Sequence, residues 1–196
     1  MLSLYLGTTA FVLYLLYDIN SFFWQRRIPR LFFMTGTLLL GSATVLDLIT
    51  AWRSGFFAGI GDILLLAGSI LFFAALIYSL FFALPFKETY TDQQTGNRVY
   101  DRGVYALCRH PGILFFFGMY LFAGFAALPG PMLIHNLVFS FLNLAYAWFQ
   151  DRVTFPRTFC DYPDYRKRVP FLIPTCESIR TAFYTMSHDN DEEDDS

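Results

Sequence analysis

The chain has 196 residues, of which 55% are hydrophobic, 20% aromatic and only 15% charged. In a soluble domain roughly a quarter of the residues are charged, so the composition argues against a soluble globular protein. The formal net charge of -2 hides an uneven distribution, because six of the sixteen acidic residues lie in residues 189–196. No basic face with interleaved aromatic residues indicates a nucleic-acid partner.

The apolar residues fall in runs close to the ~20 residues that cross about 30 Å of hydrocarbon. Pro and Gly residues separate several of these runs, as expected of helix breakers. The pattern predicts an all-α, polytopic membrane protein with five transmembrane helices, at residues 2–24, 31–52, 57–84, 111–128 and 132–149.

The loops predict an orientation with the N-terminus outside and the C-terminus in the cytosol. In this orientation only Arg53 lies outside, which is a strong positive-inside signal. The two polar segments at residues 87–111 and 150–174 are then cytosolic, and the three cysteines lie on that side as reduced thiols. The other thirteen basic residues are cytosolic: Arg26, Arg27, Arg30, Lys87, Arg98, Arg102, Arg109, Arg152, Arg157, Arg166, Lys167, Arg168 and Arg180.

Three regions follow from this pattern. Residues 1–85 hold the first three spans. Residues 86–175 form a core of catalytic type, made of a cytosolic loop, spans four and five, and a polar C-terminal cap. Residues 176–196 are predicted to be a short helix over 176–185 followed by a disordered acidic segment, since a run of like charge without apolar residues cannot offset its ordering entropy. Within the spans, Asp47 and Asp62 are predicted to be interfacial, and His135 structural or interfacial.

A tight turn at residues 128–131 joins spans four and five, so their inner ends should be neighbours. This places Arg109 and His110 close to Asp151. Pro111 fits the first position of a helix, whose free N–H groups favour an anion. Arg109 adds a charged fork and Asp151 an opposite charge, which suits a zwitterionic ligand such as an amino acid. An Arg–Asp pair that only ties two helix ends together is the alternative.

The residues of this corner resemble a known motif. Gly103-Val104-Tyr105 followed by Arg109-His110-Pro111 is similar to the G-x-Y-x-x-x-R-H-P motif of the isoprenylcysteine carboxyl methyltransferase family and of the related phospholipid methyltransferases. The downstream half resembles the same family in its acidic position, aromatic pair and basic V-P and I-P steps, at Gln150-Asp151, Phe159-Cys160, Tyr162-Pro163-Asp164-Tyr165, Arg166-Lys167-Arg168-Val169-Pro170 and Phe171-Leu172-Ile173-Pro174.

The resemblance implies an S-adenosylmethionine-dependent methyltransferase that acts at the cytosolic membrane surface on a lipophilic acceptor from the bilayer. No metal is implied. Arg109 and Asp151 are the expected catalytic pair, acting by positioning the cofactor. The resemblance implies cofactor-binding roles for Asn97, Arg98, Val99, Tyr100, Gly103, Tyr105, His110, Pro111, Gly112, Ile113 and Asp151.

The sequence departs from the family pattern at three places, namely Ile113 in place of a Tyr, Gln150 in place of an acid, and Cys160 in place of a Gly. Two alternatives therefore remain open. One is an NADPH-dependent reductase of the sterol-reductase type, which shares an R-H-P corner but has more spans. The other is a non-enzymatic lipid-binding or accessory membrane protein. The acceptor and the oligomeric state also remain open.

Overall fold

The computed structural model describes residues 1–21, 31–57, 59–83 and 97–194, with side chains up to residue 187. Within these ranges the chain is helical and contains no strand. The helices are α1 (Leu2–Ile19), α2 (Leu31–Arg53), α3 (Ile60–Phe81), α4 (Val104–Leu107), α5 (Pro111–Ala126), α6 (Met132–Phe149), α7 (Phe155–Thr158), α8 (Tyr162–Arg168) and α9 (Cys176–Asp194), and a π-helical turn, Gln150–Thr154, follows α6.

Four helices in the described part of the chain are long and apolar enough to cross a membrane: α1, α2, α3 and the continuous helical segment Met132–Thr158. The predicted all-α class and the membrane-spanning character are confirmed at this level. α5 is apolar but has only 16 residues. At 1.5 Å per residue it is about 24 Å long, which is shorter than the ~30 Å of a typical hydrocarbon core.

The helix bounds follow the predicted spans with small differences. α6 matches residues 132–149, and α2 ends one residue beyond its prediction. α1 ends at Ile19, and α3 ends at Phe81. The predicted ends at residues 24 and 84 lie outside the described residues, as do four of the basic residues that set the predicted orientation: Arg26, Arg27, Arg30 and Lys87.

The chain divides into two compact units, and the first comprises Met1–Phe73 and Phe116–Gln150. Small residues let its helices approach closely, as is common in membrane bundles. Gly7 lies against the ring of Phe139, and Gly36 lies against the ring of Tyr14, so that any larger side chain would clash there. Polar side chains also join helices, since the Asn136 amide donates to the Tyr120 carbonyl over 2.8 Å.

Large apolar side chains on these helices face outward. Leu38 is 71% exposed, Leu71 72% and Trp52 73%. A soluble protein rarely leaves contiguous apolar surface of this kind uncovered. In a bilayer the same side chains face hydrocarbon, so the exposure agrees with the membrane-spanning character of α2 and α3.

The second unit comprises Ala74–Phe115 and Asp151–Ser196 and carries the candidate site. Its last helix, α9, begins with a reciprocal cap in which Thr175 and Ser178 each accept the other's backbone N–H, over 2.9 and 3.2 Å. Such a cap satisfies N–H groups that the first turn leaves free. The backbone of α9 continues to Asp194, whereas the sequence predicts a helix to residue 185 and disorder beyond. Once a helix is nucleated, each further residue adds a hydrogen bond, and charge repulsion alone does not end it.

Candidate active site

The loop before α5 is shaped by Gly103, whose φ of 58° is strongly unfavourable for a residue with a Cβ. Gly103 begins the single turn α4, after which Cys108 is extended and Arg109 donates its backbone N–H to the Pro170 carbonyl over 2.9 Å. The side chain of Arg109 therefore lies between the start of α5 and the C-terminal cap.

Arg109 forms a two-point bond with Asp151. Its Nε donates to Oδ1 over 2.8 Å and its Nη2 to Oδ2 over 3.4 Å. The Arg109 and Asp151 side chains are 8% and 2% exposed, so the ion pair is buried. The predicted proximity of Arg109 to Asp151 is confirmed. The π-helical turn, which holds Asp151, is a feature that the sequence does not predict.

The remaining donors of Arg109 bind backbone carbonyls. Nη1 donates to the Arg166 carbonyl over 2.9 Å and to the Val169 carbonyl over 2.6 Å. The guanidinium also lies 5.7 Å from the ring centre of Phe171, within the range of a cation–π contact. Arg109 thus fastens the end of α8 to the loop before α5.

Asp151 is the centre of a wider polar network. The Tyr162 hydroxyl donates to its Oδ1 over 2.7 Å, and Arg166 Nε lies 3.6 Å from Oδ2. Burial, followed by the bond to Asp151, raises the pKa of the Tyr162 phenol well above its usual range. Tyr162 therefore stays neutral and acts as a hydrogen-bond donor to the carboxylate.

His110 has a buried ring nitrogen, Nε2, that makes no hydrogen bond with the described residues. Its ring stacks on Phe155 at 5.6 Å and meets Phe171 edge-on at 4.9 Å. Its Nε2 is 3.6 Å from Asp151 Oδ1, which is beyond hydrogen-bond distance. This nitrogen has no hydrogen-bond partner among the described residues. The side chain is 6% exposed. A buried nitrogen without a partner costs about 1–3 kcal/mol, so this atom is a candidate for contact with a ligand or a water molecule.

Aromatic side chains close the network on the side of the cap. Tyr162, Tyr165 and Val169 form a buried cluster against which Val99 and Phe159 pack. The Tyr165 hydroxyl donates to the Tyr105 carbonyl over 2.7 Å. Burial raises the pKa of Tyr165 above its usual range, so this phenol is also a neutral donor.

The segment predicted to line the cofactor site lies along the α7–α8 connection. The Asn97 carbonyl accepts from the Cys160 N–H over 3.1 Å, and the Val99 N–H donates to Asp161 Oδ1 over 2.9 Å. The Tyr100 ring meets the Tyr105 ring edge-on at 6.4 Å. Arg98 is exposed.

The residues near the start of α5 that are predicted to bind the cofactor face in two directions, some towards α3 and some towards Asp151. The Tyr105 hydroxyl donates to the Ser79 carbonyl at the end of α3 over 2.7 Å. Gly112 faces Ser79 and its neighbours on α3, and Pro111 is fully buried. The Ile113 N–H donates to the His110 carbonyl over 3.0 Å, and its apolar side chain supplies no hydroxyl. His110 and Asp151 face one another, whereas no hydrogen bond or ion pair joins Gly112 or Ile113 to Asp151 in the described part of the second unit.

In the first unit, Gln150 donates from its amide to Asp18 Oδ2 on α1 over 3.1 Å. Gln150 therefore links the end of α6 to α1. Among the described residues, His, Cys, Asp and Glu form no group of three that could hold a metal ion.

A second buried polar cluster lies in the first unit and is absent from the sequence-based prediction. Ser3 donates to Asp47 Oδ1 over 2.6 Å, and His135 Nδ1 lies 3.0 Å from Asp47 Oδ2 and 3.2 Å from Ser3 Oγ. All three residues are 5–6% exposed, so Ser3, Asp47 and His135 are buried among the helices of the first unit, and the predicted structural role of His135 fits this burial. The signal in the sequence was that His135 is the only His, Asp, Glu, Lys or Arg between Pro111 and Phe149.

Comparison with protein families, curated proteins and solved structures finds no match for this chain.

Proposed function

We propose that this protein is an integral membrane methyltransferase that uses S-adenosylmethionine and acts on a lipophilic acceptor within the bilayer. The observation that supports this most is that the two motif halves meet in space. Arg109 of the first half and Asp151 of the second are 42 positions apart in the chain and 2.8 Å apart in space. The network lies at the start of the apolar helix α5, so in this proposal a lipophilic acceptor would reach it from the bilayer.

The chemistry of the site is compatible with a cofactor that carries a polar, charged amino-acid end. His110 Nε2 is buried and unpartnered among the described residues, and it faces a carboxylate. The bound cofactor would supply an electrophilic methyl group on a sulfonium. The residues that would hold it are His110 and the segment of residues 97–100, with Tyr105 and the start of α5 beside them.

Arg109 and Asp151 act as positioning residues in this proposal. Four hydrogen bonds of Arg109 are made to Asp151 and to the carbonyls of Arg166 and Val169. They keep the cap against the start of α5 and keep His110 in its aromatic sandwich. In-line methyl transfer needs alignment and exclusion of water more than it needs a covalent group from the protein.

The proposal includes five membrane spans, with α5 as the fourth, the N-terminus outside and the C-terminus in the cytosol. α5 fits a locally thinned bilayer or one in which its ends are covered by protein. The distribution of basic residues supports the orientation. In sealed vesicles, a membrane-impermeant thiol reagent should label Cys160 and Cys176, both exposed, from the cytosolic side alone. Labelling from the opposite side would contradict this topology.

A non-enzymatic lipid-binding protein on the same scaffold is the second candidate, and specific contacts favour it. The ion pair of Arg109 and Asp151 is internally satisfied, Gln150 binds Asp18, and position 113 carries no hydroxyl. In this case the buried ion pair of Arg109 and Asp151 would only stabilise the fold.

Transfer of a labelled methyl group separates the two candidates. The purified protein in bilayers of a total membrane lipid extract, given S-adenosylmethionine with a labelled methyl group, should place label in the organic phase. His110→Phe preserves the ring packing and removes both ring nitrogens, so it should lower transfer at least tenfold while leaving the protein folded. Thr181→Ala, which is an exposed change on α9, is the matched control and should keep full transfer. Absence of transfer by the folded parent protein over a range of lipid extracts would favour the non-enzymatic candidate.

A further inference from the structure

The C-terminal helix α9 has one face buried and an apolar stripe exposed beside it. Ser178 and Ala182 are 5% and 4% exposed, and they lie one turn apart on the face that packs against α4. The stripe beside this face follows the same helical spacing, at i, i+4 and i+7. It consists of Ile179, Phe183 and Met186, which are 39%, 71% and 37% exposed.

The contacts of α9 place this stripe close to the end of a membrane-crossing helix. Thr185 Oγ1 on α9 accepts the Gly103 N–H over 3.0 Å at the start of α4. Tyr105 on α4 in turn donates to the Ser79 carbonyl in the last turns of α3. Among the described residues, the one-turn helix α4 thus links α9 to the last turns of α3.

The end of α3 also carries exposed aromatic side chains. Phe81 is 61% exposed and Phe82 is 74% exposed. Because α3 is apolar and long enough to cross a bilayer, these residues lie where hydrocarbon gives way to headgroups. The stripe of α9 belongs to the same compact unit as these aromatic residues.

The charge of the C-terminal segment decides which lipid surface suits it. Residues 176–196 contain seven acidic residues and one basic residue, Arg180. Most interfacial helices that bind anionic lipid carry Lys and Arg on the polar face, and each such charge adds to the attraction. α9 lacks that attraction, so its binding would rest on apolar burial.

We propose that α9 is an interfacial helix that lies on a zwitterionic lipid surface, with Ile179, Phe183 and Met186 inserted at the boundary of headgroups and acyl chains. This role is independent of methyl transfer. It would hold the C-terminal cap at the membrane surface.

Spin labelling of the full chain tests this proposal. Phe183→Cys places a label on the stripe, and Thr181→Cys places one on the opposite, exposed face of the same helix as the matched control. Both variants carry Cys160→Ser and Cys176→Ser, since these two thiols are exposed, and Cys108 stays buried. The labelled proteins are reconstituted in phosphatidylcholine bilayers, and collisions with oxygen and with a water-soluble nickel chelate are measured.

At position 183 we expect the oxygen collision rate to exceed the nickel rate several-fold, and at position 181 we expect the reverse. Adding phosphatidylserine should lower the ratio of oxygen to nickel collision rates at position 183, because the anionic lipid repels the acidic segment. Equal access of nickel to both positions would overturn the proposal. A label at 183 shielded from both reagents would overturn it too, by showing that protein, such as a second copy of this chain, covers the stripe. Deeper immersion with phosphatidylserine would refute the zwitterionic preference.

Discussion

Replacing Arg109 by Ala tests the role of the buried ion pair most sharply. The change removes two hydrogen bonds to Asp151 and two to the backbone carbonyls of Arg166 and Val169. It leaves the Asp151 carboxylate 2% exposed with a bond from Tyr162. Breaking a buried ion pair by removing one partner typically costs about 3–5 kcal/mol, because the other charge remains desolvated.

At about 2–4 °C per kcal/mol for a chain of this size, a loss of about 4 kcal/mol lowers the Tm by roughly 10 °C. A double-mutant cycle with Asp151→Ala should show coupling, with the double variant less destabilised than the sum of the singles by about 1–3 kcal/mol. Arg168→Ala is the matched control. Its partner is Asp101, the two side chains are 64% and 38% exposed, and such a surface pair contributes under about 1 kcal/mol.

Thermal unfolding can be followed through the thiol of Cys108, because this residue is 0% exposed and close in sequence to Arg109. In a background with Cys160→Ser and Cys176→Ser, a thiol-reactive dye reports when the second unit opens on heating. If Arg109→Ala melted within about 2 °C of the parent, or if the effects of the singles were additive, the reasoning about a buried, coupled pair would be refuted.

Other predictions rest on separate parts of the chain. Burial raises the pKa of the Cys108 thiol to about 11, so at pH 9 only about 1% is thiolate and mass spectrometry should find it unalkylated until the protein unfolds. Gly103→Ala should lower stability in thermal unfolding by about 1–2 kcal/mol because of its positive φ, whereas Gly41→Ala, in open space on α2, should not. His135→Ala should cost about 1–3 kcal/mol by leaving buried polar atoms unpaired, and Ser3→Ala should cost less in the same melts.

The long helices could be predicted from the sequence because hydropathy and breakers mark their ends. α6 begins just after Pro131 and runs through Phe149, as the apolar run indicates. The sequence does not predict the short helices α4, α7 and α8. A helix of four to seven residues has no apolar run of its own and depends on tertiary contacts for its stability.

The candidate site was predictable in part. The tight turn at residues 128–131 predicts that Arg109 lies close to Asp151, because such a turn fixes which helix ends are neighbours. The bonds from Arg109 to the carbonyls of residues 166 and 169 are not predictable, since backbone acceptors carry no signature in a sequence. The Ser3–Asp47–His135 cluster was missed for another reason. Helices that are apolar on all sides give no hint of which face packs inward, so the rotation that brings these three side chains together could not be read.

Binding of S-adenosylhomocysteine to the purified, folded protein tests the proposed function most directly. Isothermal titration calorimetry in detergent or nanodiscs should give a saturable, one-to-one binding curve. The same titration with His110→Phe should show at least tenfold weaker binding at an unchanged Tm, and NADPH should give no heat. A folded parent protein that releases no heat with S-adenosylhomocysteine would contradict the proposal, and retention of NADPH in its place would point to a reductase.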